Sequence, residues 1–201
     1  MSHRLGRRVL GLLAPLTLLL LPAPAHAERV VTHDPAGDAT VVGWLAEEDA
    51  ELPPMPDPSP ADIVRTVAAH GERRLAVTVH FHDLADVRKH STRVFVQTAA
   101  GWFDVDVRAG EGRRTRVMLV RRGERLDCRG LRARFDADAD LVAVSVPTAC
   151  LAAPRWVRVG VTAAAPLPMT DPAVLASTVD DGHRDTVRLR RVGTGPRIRR
   201  G

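Results

Sequence analysis

"RLAVTVHFH", residues 74–82, decides the fold class. Leu75, Val77, Val79 and Phe81 fall on one face of an extended chain, and Thr78, His80 and His82 on the other. Successive side chains of a strand point to opposite faces, so this is a strand with one buried and one wet side. Just upstream, "DIVRTVAAH" (62–70) alternates in the same way, with Ile63, Arg65 and Val67 on one face and Val64, Thr66 and Ala68 on the other. The short Gly-bearing link "HGERR" (70–74) makes the two runs a hairpin. Similar runs follow at close intervals: "TRVFVQTA" (92–99), "WFDVDVRA" (102–109), "TRVMLVRR" (115–122), "LRARFD" (131–136), "DLVAVSVP" (140–147) and "RWVRVGVTAAA" (155–165). Their Gly- and Asp-rich connections are too short for crossover helices, which makes the strands antiparallel. Eight or so such strands bury their apolar faces most simply as two packed sheets. The expectation is an all-β, two-sheet antiparallel β-sandwich, jelly-roll-like, with little helix; "DPAVLAST" (171–178) offers one helical turn at most.

The chain opens with a different kind of segment. Arg4, Arg7 and Arg8 precede the apolar run "VLGLLAPLTLLLL", and "AHA" ends at Ala27. A basic n-region, a short apolar h-region and a small-x-small site make residues 1–27 a signal peptide. Proline breaks the run at Pro15 and ends it at Pro22, which argues against a membrane span, and no later stretch is long and apolar enough for one. The expectation is a secreted, extracytoplasmic protein with no transmembrane segment in its mature chain. Its sandwich domain would run over 28–183, followed by an Arg-rich C-terminal tail over 184–201. In that compartment Cys128 and Cys150 read as one structural disulfide. Closing a loop of about twenty residues stabilises a fold by roughly 3 kcal/mol in the chain-entropy picture.

The whole chain carries 29 basic and 24 acidic residues, and loss of the three signal arginines leaves it nearly neutral. The distribution says more than the total. Residues 28–62 hold nine acids and one base, whereas 184–201 hold seven arginines and one acid. The tail "RLRRVGTGPRIRRG" (188–201) reads first as a disordered end of a chain that uses Arg almost to the exclusion of Lys; as it lacks the interleaved aromatics that stack on nucleic-acid bases, its charge would suit an anionic cell-surface polymer before nucleic acid.

The acidic opening contains a specific pattern. In "HDPAGDA" (33–39), Pro35 sets a turn and Gly37 permits positive φ, so Asp34 and Asp38 can face a common point. Asp62, at the mouth of the next strand, can close the same site after the Pro-rich loop "LAEEDAELPPMPDPSPA" (45–61). Asp180 and Asp181 of "TVDDGH" add a further carboxylate if the chain ends meet on one side of the sandwich, and Asp181 is the one carried forward. Hard cations such as calcium take six to eight oxygens from carboxylates and carbonyls, which makes Asp34, Asp38, Asp62 and Asp181 candidate calcium ligands. The competing reading is turn chemistry, because Asp-Pro and Gly-Asp are ordinary turn pairs.

These residues also carry a resemblance. "DPAGDA" (34–39), a Pro-rich gap and "ADIVRTVAAHGERRLAVTVHF" (61–81) resemble the opening of DOMON-like sandwich domains related to family 9 carbohydrate-binding modules. "SVPTACLAAPRWVRVGV" (145–161) is similar to the same layout in exported proteins of high-GC bacteria. The resemblance covers about the first third of the mature chain and that late segment. It implies a two-sheet sandwich with a structural calcium near its ends, held by Asp34, Asp38 and Asp62.

Sugar recognition in such modules depends on exposed aromatic rings, and this chain has no tyrosine, three tryptophans and four phenylalanines. Phe81 and Trp156, set among valines, read as core. Trp44 and Trp102 remain as candidate stacking residues for an extracellular glycan. A second alternative is a zinc or copper site: His80 and His82 share a strand face and His90 follows a short loop, giving nitrogen ligands suited to those metals. No Gly-x-Ser-x-Gly or His-Glu-x-x-His pattern occurs, so the expected function is a non-catalytic binding or surface-interaction module.

Overall fold

The structure, a computed structural model, describes residues 27–44, 57–84, 89–109, 115–167, 175–185, 187 and 192–201. All but Ala27 of the expected signal peptide and most of the Pro-rich loop lie outside them. In chain order the strands are β1 (Glu28–His33), β2 (Thr40–Trp44), β3 (Ile63–His70), β4 (Arg74–Phe81), β5 (His90–Thr98), β6 (Gly101–Ala109), β7 (Thr115–Arg121), β8 (Glu124–Leu126), β9 (Arg132–Asp136), β10 (Leu141–Pro147), β11 (Trp156–Pro166), β12 (Leu175–Asp181) and β13 (Ile198–Arg199). A single 3-10 turn, Thr148–Leu151, is the only helical element among the described residues.

Two antiparallel sheets pack face to face, as the alternating pattern requires. One has the order β1-β3-β4-β10-β9, the other β2-β12-β11-β5-β6-β7-β8, with β13 added against β11. The buried valines of β4 and β10 (Val77, Val79, Val142, Val144, Val146) meet those of β5, β6 and β11 (Val94, Val96, Val105, Val107, Val157, Val159, Val161), with Leu75, Phe81, Phe103 and Leu119 filling between them. Each such side chain contributes about 1.5–3 kcal/mol relative to exposure, so the shared inner layer holds the sheets together. The hairpin of β3 and β4 forms where the sequence places it, with one correction of phase. A β-bulge between Ile63 and Arg65 turns Ile63 inward together with Thr66, Ala68 and His70.

Four segments read as loop or tail are strands. β1 pairs with β3, β2 lies at the edge of the other sheet beside β12, and β12 replaces the helical turn expected in "DPAVLAST"; residues 171–174 of that motif lie outside the described region. The C-terminus is the fourth. Within the Arg-rich tail, 192–201 returns along β11 on the side that carries β12: Gly182 N–H bonds Val161 O, Gly195 N–H bonds Val159 O, and Arg200 N–H bonds Arg155 O. The tail also reaches the first sheet, because Gly201 N–H bonds His70 O and the His70 ring lies 3.3 Å from Ile198 O. Ile198 is buried in the core. Gly160 has to be glycine here, since a Cβ would fall inside contact distance of the Gly193 carbonyl. Cys128 and Cys150 form the expected disulfide, with Cα atoms 5.7 Å apart, tying the segment before β9 to the 3-10 turn after β10.

Candidate functional site

The chain passes from one sheet to the other through "DPAGDA", between the end of β1 and the start of β2. Asp34 N–H continues the β1–β3 ladder to Val64 O, and Gly37 takes φ 84° in the turn that follows. Asp62 stands immediately before β3, and β12, beside β2, ends in Asp180 and Asp181. Five carboxyl groups from both sheets therefore gather where the sheets meet.

Carboxylate oxygens of Asp34, Asp38 and Asp180 lie within 4.8 Å of one another. Asp180 is held by the backbone: one oxygen accepts Ile63 N–H at 2.7 Å and the other accepts Asp181 N–H at 2.6 Å. Asp62 accepts Gly37 N–H at 2.8 Å and faces the His82 ring at 3.1 Å through the same oxygen. Asp181 accepts Gly193 N–H at 2.8 Å. These bonds leave a set of buried oxygens without any hydrogen-bond partner: both of Asp38, and one each of Asp34, Asp62 and Asp181. Buried polar atoms are nearly always satisfied, so five orphans in one cluster are a specific observation.

The electrostatics agree. Burial, then the charges of Asp180, Asp38 and Asp181, push the Asp34 carboxyl up to about 8. Burial, helped by Asp38 and Asp62 and opposed by the two backbone N–H groups, pushes Asp180 up to about 7. Asp38 and Asp181 are raised as well, chiefly by burial. The neighbouring His183 is driven down to about 4 by burial and so brings no charge at neutral pH. The cluster has the donor chemistry of a hard-cation site: oxygen ligands, excess negative charge and orphaned acceptors.

Three of the four expected calcium ligands, Asp34, Asp38 and Asp62, occupy this junction with an unpartnered oxygen each or more. For the fourth, the carboxylate grouped with Asp34 and Asp38 belongs to Asp180, while Asp181 flanks it. The reason is strand parity. Asp180 pairs with inward-facing Ala163, so Asp181 points the other way, toward Gly193.

The histidines of the zinc or copper reading are not brought together. His90 is buried in the core, its ring edge-on to Phe81 and beside Phe135, whereas His80 sits on the opposite face of β4 against the Arg65 guanidinium. His82 faces Asp62 instead. Trp44 and Trp102 share no platform either. Registers through β12, β11 and β5 place them four strands and ten residues apart, roughly 19 Å across the sheet and about 30 Å along it. Trp102 is exposed at the start of β6. Trp156 is not core: Val157 and Val159 turn inward, leaving its indole half-buried on the outer face under the Arg197 guanidinium at 4.3 Å.

Compared with known proteins, the chain matches no family model, no curated protein and no solved structure. The likeness to DOMON-like domains rests on the quoted motifs alone.

Proposed function

We propose that this is an exported, non-catalytic binding module whose two sheets are joined at one end by a structural calcium ion. Asp34, Asp38 and Asp180 hold the ion, Asp62 adds its unpartnered oxygen, and Asp181 flanks the set on the Gly193 side. The observation that carries the reading is Asp38, whose two buried oxygens have no partner beside four more raised or orphaned carboxyls. The disulfide supports export, since such bonds persist in oxidising compartments. Among the described residues no helix is long and apolar enough to cross a membrane.

Thermal unfolding with about 2 mM calcium and again with chelator tests the site. For a dissociation constant of about 0.1 mM, the ion adds roughly 1–2 kcal/mol, a shift of a few degrees. Asp38→Asn abolishes that shift, and in chelator it melts no lower than the parent because a repulsive charge has gone. Coincident parent curves with and without calcium would reduce the cluster to turn chemistry.

A further inference from the structure

A groove of about 730 Å³ opens at the other end of β1, lined by Glu28, Arg155, Trp156, Arg197, Arg199 and Arg200. β13 builds it. Ile198 turns inward to the core, so Arg197 and Arg199 are delivered outward beside Trp156, which is paired with Arg199 across the β11–β13 register. Arg155 precedes β11, and Arg200 reaches back to the Ala153 carbonyl. The single acid, Glu28, accepts the Arg199 backbone N–H. Four arginines and a single acid thus line the groove, together with one indole.

We infer that this groove binds an acidic, carboxylate-bearing polysaccharide. Guanidinium forks match carboxylates in a planar, two-bond geometry. The part of the indole that Arg197 leaves uncovered lines the groove and offers an apolar surface to the C–H face of a sugar ring, which a polyphosphate chain does not present. Charge complementarity selects the acid, and Trp156 selects the sugar. A single indole already layered with Arg197 offers no series of rings for stacking successive bases, which disfavours nucleic acid. The inference rests on the reading of the protein as a binding module, but it uses no residue of the carboxylate cluster.

Calorimetric titration of the chain from Glu28 onward, without added calcium, tests it. The probes are oligogalacturonides, neutral maltooligosaccharides and inorganic polyphosphate. The expected result is saturable binding of the oligogalacturonides, weakened at least tenfold, about 1.4 kcal/mol, by Arg197→Ala with Arg199→Ala. Trp156→Leu weakens it further while leaving polyphosphate binding unchanged, and Trp102→Ala leaves every titration unchanged. Unfolding curves establish that each variant is folded, and the double arginine variant carries the test if Trp156→Leu is not. No binding of oligogalacturonides, equal binding of the neutral sugars, or polyphosphate binding as tightly as the glycan would overturn the proposal. Asp38→Asn separates the two readings: it removes the calcium response and leaves the glycan titration intact.

Discussion

At the His33 end of β1 the two sheets meet through carboxylates, and at the Glu28 end they meet through the returning C-terminus. The six residues of β1 put these junctions roughly 20 Å apart. Among the described residues, Arg197, Arg199 and Arg200 therefore stand apart from the carboxylate cluster, whereas Arg184 acts on Asp181. The basic junction is complete in itself: backbone N–H groups find carbonyls on both sheets, and Ile198 fills the core between them. The acidic junction is incomplete, because like charges are drawn together and their oxygens are left without donors. A junction of hydrogen bonds and apolar packing stands alone, whereas converging carboxylates are relieved by protons or, on the reading proposed above, by a cation.

The largest expected effect lies at the self-sufficient end. Ile198→Ala leaves a cavity between the sheets and costs about 3 kcal/mol, a fall in Tm of roughly 6–12 °C with or without calcium. A drop under a degree would mean that the C-terminal strand is decoration and the comparison fails. Gly160→Ala comes next. The added methyl displaces the Gly193 carbonyl and costs about 1–3 kcal/mol; because Gly193 N–H also bonds Asp181, the calcium response weakens with it. A calcium response left unchanged by Gly160→Ala would show that the tail crossing and the carboxylate cluster are uncoupled despite that bond.

The third test is the pH profile at the acidic end. Asp34 and Asp180 titrate near 8 and 7 in the folded, ion-free protein, above the ordinary 3.8. Over that interval the folded chain keeps protons that the unfolded chain has lost. Their contribution to stability is therefore full below about pH 4 and lost as pH rises through about 7 to 8. Melting in chelator should decline over this range. Calcium should reduce or reverse the slope, since ligating carboxylates must be deprotonated. Parallel slopes in the two conditions would separate the titrating groups from the ion.

Much of the sandwich was legible because period-2 alternation of Val, Leu and Phe is a local signal, visible in 74–82 without any partner strand. The strands that escaped notice lack that signal. β12 turns Ala176, Thr178 and Asp180 inward, and no apolar stripe marks them. β1 is mostly exposed, and β13 has one buried residue. Missing β12 also meant taking Asp181 forward instead of Asp180. Recognising Ala176 and Thr178 as an inward pair would have assigned Asp180 to their face by parity. Trp156 was misassigned for a related reason: in "RWVRVGV" both alternating faces look partly apolar, and only the partner strands decide which is inside.

The sequence by itself determined the antiparallel β class, the β3–β4 hairpin, the cysteine pair and the presence of clustered aspartates. Those follow from nearest-neighbour periodicity, turn residues and residue type. Only the tertiary structure decided that Asp180 joins Asp34 and Asp38, that His80 and His90 lie on opposite faces, and that the arginine tail returns to Trp156. Each depends on register between strands far apart in sequence, as far as Thr40 from Val179, and such long-range pairing is set by the collective burial of the two sheets.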